Sequence, residues 1–117
     1  TSATTPKGFK TVTDPQGNKY DGFDLAGLVK AAGASYVARF TAFQVRELIS
    51  SIREGFKNPG FSFIEAISQC PTHYGKTMGL DAPAMLEYYK KNSVRIKKSA
   101  EMTSEELKGK IVIGEFK

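Results

Sequence analysis

An amphipathic pattern with helical spacing runs from Thr41 to Lys57. Thr41 and Gln44 form a T-x-x-Q sequence, which is typical of a capping box, so we predict a helix that begins just after Thr41. Charged residues lie off the apolar positions, as in a helix that crosses over between parallel strands. We predict that the core-facing stripe of this helix consists of Val45, Leu48, Ile49, Ile52 and Phe56.

A short, nearly continuous apolar run follows in the stretch from Phe61 to Ser68, FSFIEAIS. Such a run is typical of a strand buried on both faces of a parallel sheet, although periodicity alone also allows a helix. The Asn-Pro-Gly sequence at 58–60 ends the preceding element, and Pro71 restricts the backbone just after the run, which favours a strand. We therefore predict a strand with both faces buried.

Shorter patterns predict the remaining elements. Asp24 is placed to cap a short helix that stops at Gly33, and Asp81 is placed to cap another that ends near Asn92. β-Branched and aromatic residues favour strands at 35–40 and 111–116. The order helix, strand, helix, strand predicts an α/β fold with mostly parallel strands and right-handed crossover helices.

Composition excludes few classes of protein. A chain of 117 residues suits one domain, and no apolar run approaches the roughly 18 residues that a membrane-spanning helix needs. One cysteine excludes an internal disulfide and favours a reducing compartment, so we expect a cytoplasmic protein without a membrane partner. The net charge of +5 would suit an acidic partner, but the basic residues are dispersed, so we expect no nucleic-acid binding.

The loop after the predicted strand at 61–68 is the candidate site. It carries the only cysteine and the only histidine of the chain, Cys70 and His73. Ligands of open α/β sheets bind beyond the carboxyl ends of the strands, where this loop would lie. Cys70 fits a small buried apolar side chain, but a Cys-Pro step is also a frequent setting for an iron–sulfur ligand. A Cys70–His73 catalytic pair fits less well, because no Asp or Asn is placed to orient the imidazole.

Several ordered motifs of the chain resemble one enzyme family. The segment FSFIEAISQCPTHYGK resembles the Q-C-P-T-x-Y-G segment of the β subunit of 2-oxoacid:ferredoxin oxidoreductases, and most closely the 2-oxoglutarate-using branch. TTPKGF, FDLAGLVKAAGASYVARFT and KGKIVIGEF resemble other segments of that subunit, in the same order. The family's earlier motif for thiamine diphosphate and magnesium, and its N-terminal cysteines, are absent from this sequence. We therefore expect the chain to be the C-terminal portion of such a subunit.

The resemblance implies a fold, a function and partners. It implies part of a thiamine diphosphate-binding domain, divided into an irregular loop at 1–20, an α/β core at 21–92 and a tail with a closing strand at 93–117. The whole enzyme would oxidatively decarboxylate a 2-oxo acid to its acyl-CoA, with thiamine diphosphate and magnesium as cofactors and a 4Fe–4S cluster passing electrons to ferredoxin. The partners would be the N-terminal part of the β subunit, the α subunit, ferredoxin, coenzyme A and the 2-oxo acid. The fragment alone would be inactive.

The resemblance assigns a role to one side chain and leaves three roles open. Cys70 matches the cysteine that completes the four-cysteine shell of the cluster, so it is predicted to be a metal ligand. His73 lies at a variable position of the family, and Lys76 stands where Arg is usual, which loses a bidentate contact. Arg39 would pair with a cofactor phosphate, with a neighbouring subunit or in a structural ion pair.

Two other classes of function remain open on the sequence. A free-standing interaction module derived from the same fold would need neither iron nor catalysis. A small nucleic-acid-binding α/β protein would bind in a manner that weakens steeply with salt.

Overall fold

A computed structural model describes all residues, 1–117, and contains a four-stranded sheet in the order β2-β1-β4-β3. β1 pairs in parallel with β2, from Tyr36 opposite Ser62 to Thr41 opposite Ile67, and β3 pairs in parallel with β4. β4 runs antiparallel to β1. Two of the three pairings are thus parallel, which confirms the predicted α/β fold. The strands are β1 Tyr36–Thr41, β2 Ser62–Ile67, β3 Ser93–Arg95 and β4 Ile111–Glu115.

Six helices accompany the sheet, and the residues that begin and end them explain their bounds. The carboxylate of Asp24 accepts a hydrogen bond from Gly27 N at the start of α1, and Gly33, with φ of 97°, lies just past its end. Asp81 caps α4 through Ala84 N, and Thr103 forms a capping box at α6. The helices are α1 Leu25–Ala31, α2 Val45–Lys57, α3 Lys76–Met78, α4 Ala82–Asn92, α5 Ile96–Ser99 and α6 Ser104–Leu107. No helix is both long enough and apolar enough to span a membrane.

The core lies on the two faces of β1, which is one of the two interior strands of the sheet. Val37 packs with Ala26 and Ala34 on the α1 face, and Ala38 packs with Phe40 and Ile113 on the opposite face. Ile113 belongs to β4, so the closing strand contributes to the core although it comes last in the chain.

The predicted start of the second helix is wrong by three residues. Thr41 ends β1 rather than capping α2, and the helix begins at Val45 with Gln44 as its N-cap. The two side chains do interact as the T-x-x-Q pattern suggests, because Thr41 N and Oγ1 both donate to Gln44 Oε1, at 3.0 and 2.6 Å. The pair joins the strand to the helix instead of closing the first helical turn.

The predicted core stripe of α2 is wrong for four of its five residues. Leu48 packs on the sheet cluster, but Val45, Ile49, Ile52 and Phe56 are 52%, 47%, 41% and 89% exposed. The helix contacts the sheet through smaller residues: Ser51 is buried, and a Cβ at Gly55 would lie 2.8 Å from Ile64 Cδ1. Small residues allow closer packing than the apolar stripe would, so the periodicity identified an apolar face but not the face that packs in this chain.

The prediction that the strand at 61–68 is buried on both faces is also wrong. β2 lies at the edge of the sheet, where only β1 pairs with it, and none of its six residues is fully buried. The apolar composition of β2 is therefore not matched by burial within the chain.

The first 23 residues form an irregular segment. A turn is present at 14–18, with Gly17 N donating to Asp14 O and Gly17 at φ of 99°. Asn18 is buried and fastens the segment, because its Nδ2 donates to Thr5 O at 2.7 Å and to Tyr20 O at 2.9 Å. The segment is thereby folded back on itself before α1 begins.

Candidate functional site

A π-helical turn, Pro71–Gly75, forms the loop that follows β2 and runs directly into α3. Gly75 N donates to Cys70 O at 2.9 Å. This hydrogen bond joins residues five positions apart, which is the pattern that defines a π-helical turn. Only glycine fits at position 75, because a Cβ there would lie 2.7 Å from Leu80 O and 3.0 Å from Met85 Sδ. The turn lies just past the carboxyl end of β2, where the sequence placed the site.

Cys70 lies at the start of this turn with its side chain exposed. Cys70 is therefore not packed in the core. The role of a small buried apolar side chain, which the sequence had left open for it, is thereby excluded. The backbone N–H groups of His73, Tyr74 and Thr72 lower the pKa of the Cys70 thiol below its ordinary value, because they stabilise the thiolate. An exposed sulfur with nearby N–H dipoles is suited to bind a metal or to react as a nucleophile.

Two aromatic residues hold the loop against the rest of the chain. Tyr74 stacks on Phe9 of the N-terminal segment, with ring centroids 5.0 Å apart, and Tyr89 Oη donates to Ser68 O at 3.1 Å. Burial, with smaller contributions from Tyr88 and Tyr89, raises the pKa of Tyr74 to about 12, so its phenol stays neutral at physiological pH. These contacts restrict the loop from two sides.

The other candidate residues of the loop are exposed and make few contacts. His73 and Lys76 are both exposed, and the only side-chain hydrogen bond at either residue is from Thr77 Oγ1 to the carbonyl oxygen of His73. The His73 ring makes no hydrogen bond, so nothing in the chain orients it as a general base for Cys70. The chain contains no group of three or more His, Cys, Asp and Glu side chains placed to hold a metal. At Cys70 this chain could thus offer a metal no more than one thiolate ligand.

Arg39 lies in the middle of β1 and is engaged by acids of this chain. Its Nε donates to Glu65 Oε2 at 2.7 Å, its Nη2 to Asp24 Oδ1 at 2.5 Å, and its guanidinium lies 5.2 Å from the Phe116 ring centroid. Burial would lower the pKa of Arg39, but the hydrogen bonds that its guanidinium donates to Glu65 and Asp24, together with their negative charges, outweigh it and raise the pKa. Of the roles considered for Arg39, the ion pair is the one that the structure supports. It joins β1, β2 and the start of α1.

Sequence reasoning missed the residues that position the loop. Phe9 and Asn18 stand in a segment without periodicity, and for the helix that contains Tyr89 the sequence predicted only its cap and its end. The available signal was chemical: an aromatic residue inside a Thr/Gly/Pro-rich segment needs a packing partner, and a tyrosine on a buried helix face needs a partner for its hydroxyl.

Comparison with curated proteins finds relatives of one kind. The chain is 50% identical over 98% of its length to the 2-oxoglutarate synthase subunit KorB of Methanothermobacter marburgensis, and 47% identical over the same share to that of Methanocaldococcus jannaschii. It is 31% identical over 62% of its length to a 2-oxoacid:ferredoxin oxidoreductase subunit beta of Saccharolobus solfataricus. The resemblance seen in the motifs is thereby confirmed. The chain spans about two fifths of the KorB subunits, 41% and 43% of their lengths.

Comparison with solved structures supports the fold. A 2-oxoglutarate:ferredoxin oxidoreductase from Magnetococcus marinus, solved with 2-oxoglutarate, coenzyme A and succinyl-CoA bound, matches 97% of this chain and 40% of its own. The TM-score is 0.73 at 20% sequence identity, so this likeness concerns the fold alone.

One family model also matches the chain. It is described as "Thiamine pyrophosphate enzyme, C-terminal TPP binding domain", and it covers residues 1–66, from the N-terminal segment to β2. This match takes in more than half of the chain, including the sheet's central strand and the crossover helix. The chain therefore belongs to the thiamine pyrophosphate enzyme family, in its C-terminal TPP-binding domain.

Proposed function

We propose that the chain is the C-terminal part of the β subunit of a cytoplasmic 2-oxoglutarate:ferredoxin oxidoreductase. The complete enzyme would convert 2-oxoglutarate and coenzyme A to succinyl-CoA and carbon dioxide and reduce ferredoxin. Identity of 50% over nearly the whole chain to KorB subunits supports this assignment, and the likeness of fold to a 2-oxoglutarate:ferredoxin oxidoreductase agrees with it. Within the domain, residues 1–20 would be a loop, 21–92 the α/β core and 93–117 a tail that returns to the sheet.

One residue-level observation supports the proposal: Cys70 is exposed, and its loop is held in place by the stack of Tyr74 on Phe9. We propose that Cys70 is one of four cysteine ligands of a 4Fe–4S cluster, the other three lying in the N-terminal part of the subunit. The donor set fits such a group, since the sulfur is accessible and backbone N–H groups surround it. Hydrogen bonds to cluster sulfurs are one means by which proteins set the reduction potential.

The remaining cofactors belong to the complete enzyme. Thiamine diphosphate, with magnesium, supplies the decarboxylation chemistry when bound, and the cluster supplies one-electron transfer to ferredoxin. The residues of this chain position the loop that carries Cys70. Pro71 and Gly75 set the turn, and Tyr89 donates a hydrogen bond to the carbonyl of Ser68. The stack of Tyr74 on Phe9 keeps the N-terminal segment beside the loop. The α subunit, ferredoxin, coenzyme A and 2-oxoglutarate would be the partners.

The test is Cys70→Ser in the complete enzyme. Because a serine oxygen is a poor substitute for thiolate at iron, we expect iron content and ferredoxin reduction to fall, while release of carbon dioxide from 2-oxoglutarate continues. Iron analysis, the resonance of the reduced cluster and the two assays measure this. His73→Asn is the matched control, since it changes an exposed side chain of the same turn and should preserve both activities. A Cys70→Ser enzyme with full iron and normal ferredoxin reduction would show that Cys70 is not a ligand.

The wild-type enzyme tests the broader assignment. Succinyl-CoA should form from 2-oxoglutarate in the presence of coenzyme A and ferredoxin, and pyruvate should be a poorer substrate. A preparation that forms no acyl-CoA from any 2-oxo acid would contradict the proposed activity.

A further inference from the structure

The net positive charge of the chain lies in one short segment. Residues 88–100 carry five basic side chains and no acidic one, whereas the remaining residues carry twelve of each. Basic residues thus occur throughout the chain, but the whole net charge of +5 belongs to this segment. We call residues 88–100 the basic segment; its charged residues are Lys90, Lys91, Arg95, Lys97 and Lys98.

The structure exposes these charges and leaves most of them without partners. All five residues are exposed. Arg95 Nη2 donates to Glu47 Oε1 at 2.6 Å, and Lys90 Nζ lies 3.9 Å from Glu87 Oε1, which is a loose contact. The residues of the segment that take part in no salt bridge of the chain are Lys91, Lys97 and Lys98. Uncompensated charges of one sign, held together on a surface, attract an acidic partner.

The basic segment begins beside the loop that carries Cys70. Tyr89, in the last turn of α4, donates its Oη to Ser68 O at 3.1 Å. Burial, followed by the charges of Tyr88 and Cys70, raises the pKa of Tyr89, which agrees with a Cys70 sulfur close to the phenol. The charged segment and the candidate site are therefore neighbours in space.

The far end of the segment is still within reach of the same partner molecule. From Tyr89 the chain passes through the end of α4, the three residues of β3 and then α5. With the usual rise per residue of helices and strands, Lys98 lies no more than about 20 Å from Tyr89 along this path. A domain of about 100 residues has a radius of gyration of about 13 Å. One small protein can thus cover the Cys70 loop and the basic segment together.

Protection of a sheet edge does not account for the lysines. β3 is an edge strand, and lysines on such strands discourage pairing with other chains. The strand itself carries only Arg95 as a charged residue, and Arg95 is engaged by Glu47. The four lysines instead lie in the last turns of α4 and α5, outside the strand whose edge would need protection.

We propose that the basic segment is a docking surface for the electron acceptor of the enzyme, a ferredoxin with a carboxylate-rich face. This inference rests on the proposed function and deepens it, because the acceptor has to approach the cluster that Cys70 would ligate. Interfaces between electron-transfer partners are small and transient, and complementary charges raise the rate at which such partners meet. The lysines without intramolecular partners are suited to this steering.

Kinetics of the complete enzyme with ferredoxin test the docking. The double variant Lys97→Glu with Lys98→Glu should raise the KM for ferredoxin about tenfold or more at low ionic strength, because attraction becomes repulsion. The increase should largely disappear at about 0.5 M salt, where exposed charges are screened. Calorimetric binding of ferredoxin without turnover should weaken in parallel. Lys97→Gln with Lys98→Gln, which makes half the change in charge, should give a smaller increase.

A matched control is available at the other end of the sheet. Arg53→Glu with Lys57→Glu makes the same change in charge at exposed residues of α2 that lie near the amino end of β2. This control should alter the KM for ferredoxin less than about twofold, because exposed charges at a distance are screened. Equal effects of both double variants would overturn the proposal in favour of attraction by net charge alone.

The remaining outcomes separate the docking from the proposed activity. Iron content and the resonance of the reduced cluster show that each variant is intact; if the glutamate variant loses iron, the glutamine variant carries the comparison. Unchanged KM and unchanged binding of ferredoxin would overturn the docking, and loss of salt-dependent binding to single-stranded RNA in the same variant would point to nucleic acid instead. Reduction of methyl viologen, a small dye, by the wild-type enzyme with 2-oxoglutarate and coenzyme A is measured separately. No dye reduction with lysine-dependent ferredoxin binding would refute the activity alone, and dye reduction with lysine-independent ferredoxin binding would refute the docking alone.

Discussion

β1 and β2 are neighbouring strands of six residues each, but they differ sharply in how far their side chains are buried. Four of the six residues of β1 are buried, whereas no residue of β2 is. The apolar side chains of β2, Phe63, Ile64 and Ile67, are at least as hydrophobic as those of β1. The difference is one of neighbours: β1 has β2 and β4 beside it, while β2 has β1 alone. Hydrophobic composition thus does not by itself decide whether a strand is buried, because burial also depends on the neighbours on each side of it.

The helices α1 and α2 show the same contrast. α1 buries Ala26 completely and packs against one apolar cluster, while α2 turns four of its five larger apolar residues outward and packs through Leu48, Ser51 and Gly55. The helix thus makes its close contact with the sheet mainly through small residues. The comparison predicts where charges should be tolerated and where they should not.

The largest effect should come from placing a charge at the centre of β1. Val37 is 1% exposed, so Val37→Asp would bury an unpaired carboxylate, and we expect a loss of about 4 kcal/mol or more, enough to unfold the chain. Ala66→Asp in β2 places the same charge on an exposed residue and should cost less than about 1 kcal/mol. Far-ultraviolet circular dichroism during urea unfolding of the 117-residue chain measures both. Equal losses would contradict the contrast between the strands.

An intermediate effect should follow from removing the ion pairs that join the two strands. Arg39→Met leaves the largely buried carboxylate of Glu65 without its partner, which should destabilise the chain by about 2 kcal/mol. Glu65→Gln in the same chain removes the uncompensated charge, so the double variant should be more stable than Arg39→Met alone. Urea unfolding of the wild type, both single variants and the double variant measures the coupling. Additive losses would show that the pair does not couple β1 to β2.

The smallest effect should be seen at Asp24, whose carboxylate is largely exposed. Burial would raise the pKa of Asp24, but the hydrogen bonds from Arg39 and Gly27 and the charge of Arg39 outweigh it, so the pKa is lowered on folding. A lowered pKa gives stability that is complete above the unfolded-state value of about 3.9 and is lost as the pH falls through the folded-state value. Asp24→Asn keeps a good N-cap and removes the charge, so we expect a loss of about 0.5 kcal/mol at pH 7. Unfolding compared at pH 7 and in strong acid checks that this difference vanishes below both pKa values; a difference that persists there would exclude the charge as its cause.

The sequence by itself determined the local structure of this protein. Asp24 and Asp81 act as caps where they were expected to, since a cap needs only residues within one turn, whereas Thr41 does not. The alternation of helices and strands was likewise local information, and it was enough to predict the α/β class. The loop that carries Cys70 was predicted at the end of β2 because Pro71 and the apolar run before it leave few other conformations. Motif likeness then identified the family, which spacing alone had not.

Tertiary structure alone decided which apolar surfaces are buried here. β4, last in the chain, inserts between β1 and β3, antiparallel to β1 and parallel to β3, and no local pattern signals the pairing with β1 across so many residues. The stack of Phe9 on Tyr74 joins two segments that are far apart in sequence, so the bracing of the Cys70 loop could not be read from either. The exposed stripe of α2 has the same origin. An amphipathic period shows that a helix has an apolar face, but whether that face is covered depends on the arrangement of the other elements.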